Sequence, residues 1–401
     1  MSEASFGREH YHLVERAREK LPASRWHEML VYLCGLAERS IMPSSGPFRR
    51  PWLTVGPGYI AHPAFGHWDL VHACLDLVRF SPELVRDQLR NLFETAGPDG
   101  MLPGLSYGPG KRRPDFWANH KLSHPPLWPQ AAEEYFRVAR DLEFLKECFE
   151  FGRRNLAWWE AHRRVAGGGF YYRDILDRTW ESGIDDGLRF KTPAERPFAC
   201  VDATSHLYGY YEMMEKWAGR LELDAAAYRE KRVGLAEFIQ SEFWDERAGF
   251  FHDVGRPGRP KTFEGFLPMA FGAASEAQSI RLHEHLMNES EFYAFHPIPT
   301  VALNEPDWSF DMWRGPAWNS RTFWILRGSH RYGHRKEVGE IGLRTLDRTL
   351  EHFRASGTIH EFYNSRSIDQ SVLVRKGNPA GPCREYLGHN PLNAFFYLVT
   401  E

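Results

Sequence analysis

The sequence predicts an all-α chain folded as a ring of helical hairpins, and three observations carry that expectation. Apolar residues return at helical spacing in separate runs along all 401 residues, with roughly 30 residues for each helix and its connection. Long connections rich in Trp, Tyr, Gly and Pro alternate with short ones, as at 97–126, 167–197, 296–316 and 356–384. No low-complexity stretch or linker interrupts the pattern, so residues 1–401 are expected to form a single domain.

In chain order, two amphipathic segments lie between Arg8 and Arg39, broken at Pro22-Ala23-Ser24. They read as a helical hairpin. The Pro- and Gly-rich stretch from Met42 to Pro63 reads as an irregular loop that delivers Phe65-Gly66-His67-Trp68-Asp69 to a helix start. Further helices are expected over Pro82–Thr95, Pro129–Arg140, Leu142–Arg164, Cys200–Leu221 and Ala225–Phe243. The series continues with Glu264–Ala273, Glu276–Asn288, Asn319–Arg331, Glu337–Phe353 and a last helix near Asn390–Val399. Strands should be few, with small hairpins at Phe170-Tyr171-Tyr172 and Phe250-Phe251-His252. Long loops gathered on one face of a rigid helical scaffold are where a functional site is usually built.

Composition removes several classes of function. Lys plus Arg total 50 against 53 Asp plus Glu, a net charge of −3, so no broad cationic field for nucleic acid or anionic lipid is expected. The five cysteines are odd in number and widely spaced, which indicates neither a disulfide framework nor a zinc knuckle. There is no apolar leader and no 18-residue apolar run. A cytoplasmic protein away from the membrane is the expectation. No HExxH, P-loop or Gly-x-Ser-x-Gly pattern occurs, so no metal or other cofactor is expected. The 14 Trp exceed what a core usually uses, which suggests ring-stacking surfaces in a pocket for sugars.

Glycosidic hydrolysis needs one carboxylic acid to protonate the departing oxygen and a second carboxylate to attack or to activate water. The stretch Trp180-Glu181-Ser182-Gly183-Ile184-Asp185-Asp186 supplies an acid at a Gly-relaxed turn. Trp180 is placed to desolvate Asp185 and raise its pKa toward acid duty. Asp186 competes for the role, and helix capping or turn closure is the plainer use of these residues. In Thr358-Ile359-His360-Glu361-Phe362-Tyr363-Asn364, Glu361 is the candidate water-activating carboxylate, against the plainer reading of a half-exposed turn glutamate. Glu181 and Glu385 are weaker candidates, the latter set to pair with Arg384.

Trp313-Arg314-Gly315-Pro316-Ala317-Trp318 reads as a pocket wall, with Arg314 fixing a hydroxyl or a catalytic carboxylate. Trp68-Asp69 offers a ring and a hydroxyl acceptor, unless Asp69 simply caps a helix. The stretch around Tyr107, followed by Lys111-Arg112-Arg113, reads as a flap with a basic tip that could meet an acidic aglycone.

Taken together these motifs resemble the inverting glycoside hydrolases of family 63 and the related trehalases and mannosylglycerate or glucosylglycerate hydrolases. The match runs from His67-Trp68-Asp69 through Ser123-His124-Pro125-Pro126, Trp180 to Asp185 and Trp313 to Pro316, to Glu361-Phe362-Tyr363-Asn364. The resemblance implies an (α/α)6 barrel with Asp185 as general acid and Glu361 as general base. It also implies inversion, with the carboxyls roughly 6.5–9.5 Å apart. Trp68, Asp69, Trp180, Gly183 and Arg314 fall on positions that line the sugar subsite in that family, and Tyr107, His124 and Trp313 join them as candidate substrate contacts.

Three departures from the pattern are visible: His124 where Gln is frequent, Gly187-Leu188 where Ser-Pro is frequent, and a thinned aromatic approach at Phe65-Gly66-His67. They touch hydroxyl-reading groups and leave both carboxylates in place. The compact length favours comparison with the glycerate-glycoside hydrolases. The expected partner is therefore a small carbohydrate, a glucosyl- or mannosyl-glycerate among the options, in a monomer or homo-oligomer. Two rival readings stand beside this one. A sugar epimerase would depend on His124, His206 or His360, and a non-catalytic carbohydrate-binding protein would bind sugar without product and without depending on both carboxylates.

Overall fold

The computed structural model describes residues 11–109, 116–177, 179–254 and 259–401. The opening hairpin is α1 (Leu13–Lys20) and α2 (His27–Arg39), which pack on each other across the Pro22 break. The irregular loop that follows contains one small ribbon, β1 (Ile41–Met42) paired antiparallel with β2 (Trp52–Leu53). Next, β3 (Ala64–Gly66) leads directly into α3 (His67–Leu77), as the Phe65-Gly66-His67 stretch suggested. Helix α4 (Pro82–Glu94) starts on Ser81, whose hydroxyl accepts the Leu84 N–H, with Pro82 in the first turn where its missing N–H costs nothing.

The Tyr107 stretch is β4 (Leu105–Tyr107), antiparallel to β3 with Gly66 opposite Leu105 and Ala64 opposite Tyr107. A short α5 (Phe116–Asn119) precedes α6 (Trp128–Ala139) and the 22-residue α7 (Leu142–Arg163). Beyond the acid motif come α8 (Val201–Arg220) and α9 (Ala226–Phe238), the latter ending in a π-helical turn, Ile239–Phe243. The hairpin expected at Phe250 is β5 (Trp244–Asp245) with β6 (Phe250–Phe251), whereas Phe170 makes only an isolated bridge to Arg164.

One expected helix is broken up. Glu264–Ala273 is a 3-10 turn, Phe263–Phe266, followed by five-residue α10 (Leu267–Phe271). Pro268 sits in the first turn of α10, and Gly272 closes it with φ 86°, a left-handed cap that glycine takes without Cβ strain. The series ends with α11 (Glu276–Leu286), α12 (Asn319–Arg331), α13 (Arg335–Ser356) and α14 (Leu392–Thr400). Helix α11 carries the full Ser275/Gln278 capping box.

The described residues therefore hold fourteen α-helices and three two-stranded ribbons. None of these helices is long and apolar enough to cross a membrane. The chain divides into two compact units, one of Met1–Trp158, Thr349–Glu361 and Cys383–Tyr397, the other of Trp159–Arg348, Phe362–Pro382 and Leu398–Glu401.

In the first unit α3 packs on α4 and α6. Trp128 lies edge-on to Phe93 and Phe151, at centroid distances of 4.9 and 5.4 Å. Asp76 of α3 ties down α14: its carboxylate accepts the Asn393 N–H at 2.5 Å, the Asn393 amide at 2.8 Å and the Ala394 N–H at 3.1 Å. It thus satisfies donors at a helix start that follows Pro391. Burial pushes this carboxyl up to about 7.

In the second unit α8 packs on α9 and α10, and α10 on α12. Phe271 stacks on Trp324 at 5.5 Å. Eleven of the fourteen tryptophans are buried and only Trp180 is largely exposed, so packing absorbs most of the surplus attributed to sugar stacking.

Candidate active site

The acid motif lies in the second unit and is held by two buried carboxylates, Asp174 upstream of it and Glu181 within it. Asp174, on the 3-10 turn Arg173–Ile175, accepts the Ser182 N–H at 2.9 Å, the Ser182 hydroxyl at 2.6 Å and the Thr179 hydroxyl at 3.1 Å. It also accepts the N–H of Glu181. Glu181 is fully buried and faces Arg163 through two parallel bonds of 2.7 and 2.8 Å, while taking the Arg173 N–H at 2.7 Å. Such a bidentate pair fixes geometry as well as charge. Glu181 is thus spent on structure.

Around and beyond Glu181 the backbone turns sharply. Trp180, Gly183 and Asp186 have φ of 64°, 70° and 58°. The Gly183 N–H closes onto the Trp180 carbonyl at 3.0 Å, and Ser182 Oγ takes the Ile184 N–H at 3.0 Å. Left-handed backbone at Trp and Asp costs energy that the surrounding bonds must hold. Its result is that Trp180 stands out at 40% exposure, with Asp185 half-buried beyond the turn.

Arg314 enters from the Trp313 motif and donates through Nε to the Asp186 carbonyl at 2.7 Å. It therefore holds the acid loop by its backbone, where a hydroxyl or a catalytic carboxylate was the expectation. Trp313 and Trp318 do not bracket Arg314. They stack on each other at 3.8 Å with an 8° interplanar angle, both buried.

One close partner of Asp185 was not foreseen. Lys376 Nζ lies 2.6 Å from Asp185 Oδ2 and 5.4 Å from the centre of the Trp180 ring. An ammonium at that distance favours the ionised carboxylate, against the desolvation by Trp180 that the sequence suggested.

Glu361 lies in the first unit and is 2% exposed, unlike the half-exposed turn residue that was its plainer reading. Its backbone pairs with that of Cys383: the Glu361 N–H donates to the Cys383 carbonyl at 2.9 Å, and Glu361 Oε2 accepts the Cys383 N–H at 3.1 Å. Asn390 supports the preceding residue by donating to the His360 carbonyl at 2.9 Å. Glu385 pairs with Arg39 at 3.4 Å, while Arg384 donates to the Ser356 carbonyl, which corrects the expected Arg384–Glu385 pair.

In the same unit, Asp69 is the third residue of α3 and Gly66 is the cap, so Asp69 is not the N-cap. Its carboxylate accepts the Tyr386 hydroxyl at 2.9 Å and lies 3.6 Å from His389 Nε2. A Cβ on Gly66 or Gly388 would fall 2.3 or 2.1 Å from its oxygens. It lines an open pocket of about 190 Å³ with Thr54, Gly66 and Gly388. Trp68 is buried against His124 and His389, at 5.7 and 4.9 Å between ring centres. Trp117 lies 4.7 Å from His124 and donates to the Tyr107 hydroxyl at 3.3 Å. Trp68, Asp69, Tyr107 and His124 therefore belong to one neighbourhood through shared rings. The basic tip Lys111 to Arg113 lies outside the described residues.

The second unit also holds an open pocket of about 400 Å³, lined by Arg189, His252, Asp253, Thr262 and Glu264 among others. Arg189 bonds Asp253 at 2.6 and 3.0 Å and Asp202 at 2.8 Å. Burial pushes Glu264 up to about 7.

The histidines of the epimerase reading are placed as follows. His206 Nδ1 meets the Tyr172 hydroxyl at 2.6 Å, and burial drives its pKa well below the usual imidazole range. Burial lowers His360 to about 4. Among the described residues no group of three or more His, Cys, Asp or Glu is arranged to hold a metal ion.

Asp174, Arg163, Arg189 and Lys376 were not found from the sequence. Asp174 was within reach as one of two carboxylates, with Asp177, just upstream of the motif, and Arg375-Lys376-Gly377-Asn378 is a visible turn signal.

A family model for the mannosylglycerate hydrolase MGH1-like glycoside hydrolase domain matches residues 63–367, a span that includes both candidate carboxylates. Among solved structures, the mannosylglycerate hydrolase of glycoside hydrolase family 63 from Thermus thermophilus in complex with glucose superposes with a TM-score of 0.70. The two are 19% identical, over 92% of this chain and 99% of that one. The same enzyme in complex with Tris and D-glycerate gives 0.68 at 21% identity, over 92% and 98%. Neutral trehalase from Saccharomyces cerevisiae gives 0.66 at 15% identity, over 92% and 78%. At these identities the likeness establishes a shared helix-rich fold. A protein of Borreliella burgdorferi is 27% identical over 145 residues, and the match spans 34% of this chain and 31% of that protein.

Proposed function

The chain belongs to the mannosylglycerate hydrolase MGH1-like glycoside hydrolase family, and from that premise we propose that it is an inverting α-glycosidase of small α-glucosides or α-mannosides. In this reading the helical hairpins close into an (α/α)6 barrel, and residues 1–401 act as one catalytic domain. Asp185 is the general acid and Glu361 the general base.

The observation that carries the reading is how differently the two carboxylates are held. Glu361 is buried and fixed on one oxygen by the Cys383 N–H, which suits a base that must aim a water molecule. Asp185 stands half-buried beyond a glycine turn beside an exposed indole, which suits an acid that must meet a departing oxygen.

Water loses a proton to Glu361 as it attacks the anomeric carbon, while Asp185 gives its proton to the glycosidic oxygen as the C–O bond breaks. The free sugar leaves with inverted configuration. Trp68 with Asp69, Tyr107 with His124, and Trp180 and Gly183 with Trp313 and Arg314 shape the sugar subsites. A glycerate aglycone is supported by the Thermus relatives, which are named for mannosylglycerate and in one case hold D-glycerate.

The test is the configuration of the sugar first released from a panel of α-glucosides and α-mannosides, followed by NMR. A β-configured product is expected, together with a loss of roughly 10²–10⁴-fold in turnover of the glycerate glycoside on Asp185→Asn or Glu361→Gln. Retained configuration, or near-native turnover in either variant, overturns the reading.

A further inference from the structure

Lys376 is presented to the acid by a rigid turn. Arg375 and Asn378 exchange backbone bonds of 2.9 Å in both directions, and the two residues between them, Lys376 and Gly377, have φ of 53° and 73°. Positive φ at both central residues is the pattern of a tight type I′ hairpin turn, and the second position is glycine, which takes it without strain. The turn is anchored. The Lys376 N–H donates to Asp311 Oδ1 at 3.0 Å, and the Val374 N–H and carbonyl bond Phe310 and Met312 at 3.0 Å each. Only the side chain of Lys376 is left to move. It is 33% exposed, while the Asp185 carboxylate it meets at 2.6 Å is 16% exposed.

The electrostatic surroundings of Asp185 make that ammonium consequential. Asp174 couples electrostatically to Asp185, and Glu181 stands four residues before it. The charge of Glu181 is matched by Arg163, and the Arg314 guanidinium is engaged at the Asp186 carbonyl. Lys376 is a cation that meets the Asp185 carboxylate directly, and it does so beside the exposed Trp180 ring. An ammonium in contact with a carboxylate favours the ionised form, yet a general acid must carry a proton when substrate is bound. Something in the substrate complex has to relieve the pair.

We propose that Lys376 is a charge gate on Asp185. It holds the acid ionised while the site is empty, and a carboxylate on the aglycone draws it off, which makes the site selective for glycosides of small hydroxy acids. The proposal rests on the reading of Asp185 as general acid. Once Lys376 swings to the aglycone carboxylate, Asp185 takes a proton from solvent and passes it to the glycosidic oxygen as that bond breaks. Glu361 returns the proton it took from water, and Lys376 closes again on the Asp185 carboxylate as the hydroxy acid leaves. A neutral aglycone offers nothing to open the gate.

The experiment is a carboxyl ¹³C NMR titration of Asp185 in the full chain, with its signal assigned by Asp185→Asn, in the unmodified protein and in Lys376→Met, each with and without D-glycerate. Lys376→Met should raise the titration midpoint by about one pH unit, a roughly tenfold gain in proton affinity. D-glycerate should do the same to the unmodified protein and add nothing in the variant. In kinetics, the alkaline limb of kcat/KM for glucosylglycerol should move to higher pH by the same interval in Lys376→Met. The KM for glucosylglycerate should rise roughly tenfold, a loss of about 1.4 kcal/mol of binding. A merely structural lysine would not move the pH limb.

An unchanged midpoint in Lys376→Met overturns the gate. No shift with D-glycerate overturns the selectivity. Turnover that survives Asp185→Asn would instead sink the acid assignment, while the coupling read by NMR still stands, so the two failures are separable.

Discussion

The acid loop around Asp185 and the segment around Glu361 carry the same functional group and are built by opposite means. Glu361 is fixed by the backbone of Cys383, whose carbonyl accepts the Glu361 N–H and whose N–H donates to Glu361 Oε2, with Asn390 holding His360 from beside. The acid loop is closed by tight turns, the Gly183 N–H on the Trp180 carbonyl and the Gly187 N–H on the Ile184 carbonyl. It is shaped by side chains, Asp174 collecting N–H and hydroxyl groups and Arg163 neutralising Glu181, so that strained residues at Trp180 and Asp186 stay in place. One carboxylate is immobilised and buried; the other is left where a lysine can reach it. Under the proposed roles, the difference teaches that a base aiming water is held fast while an acid meeting a leaving group keeps more freedom.

The widest break between the two sites should appear with an activated leaving group. On a 4-nitrophenyl glycoside, Asp185→Asn should recover most of its lost rate, because that phenolate leaves without a proton. Glu361→Gln should stay roughly 10²–10⁴-fold down on every substrate. Equal recovery, measured as kcat in the two variants, would erase the distinction between acid and base.

Next in size is the buried pair under the acid loop. Arg163→Met leaves Glu181 charged and buried, at a cost of about 3–5 kcal/mol, to be read as the loss of unfolding free energy in urea.

A smaller effect carries a pH signature. Burial, opposed by the Ser182 hydrogen bonds and reinforced by the charges of Glu181 and Asp185, pushes Asp174 up to about 7. Its folded value lies above the unfolded one of about 3.9, so its contribution to stability is full below the unfolded value and fades as pH rises through about 7. The advantage of the unmodified protein over Asp174→Asn should therefore be about 1–3 kcal/mol near pH 5 and shrink by pH 8. An advantage that grows with pH in thermal melts would contradict this.

Smallest is Trp180→Ala. At 40% exposure its removal should alter stability by only about 0.5 kcal/mol or less. It should still raise KM, because the ring stands partly exposed next to Asp185 in the acid loop.

Much of this was legible in order along the chain. The helices follow apolar periodicity and local capping, so α4, α7, α8, α11 and α12 match the expected segments to within a few residues. Pro268 and Gly272 should have warned against one long helix over Glu264–Ala273, and Pro391 delays α14. Asp185, Glu361 and the Trp68-Asp69 pair stood out as candidates because each sits in a short motif whose neighbours already signal a turn or an aromatic wall. Glu385, read as pairing with the adjacent Arg384, pairs with Arg39 across 346 positions. Adjacent charges in a sequence need not face each other once the backbone turns.

What the sequence determined by itself is therefore what short-range physics controls: helices, turns, and a tryptophan, a glycine and an acid gathered on one bend. Only the tertiary structure decided what charge that acid feels. Asp185 meets Lys376 from a turn 191 positions away, and electrostatic energy depends on distance in space and on burial. Periodicity reports neither. The carboxylate that local sequence offered as an acid raised by a tryptophan is, in the folded protein, one held by a lysine.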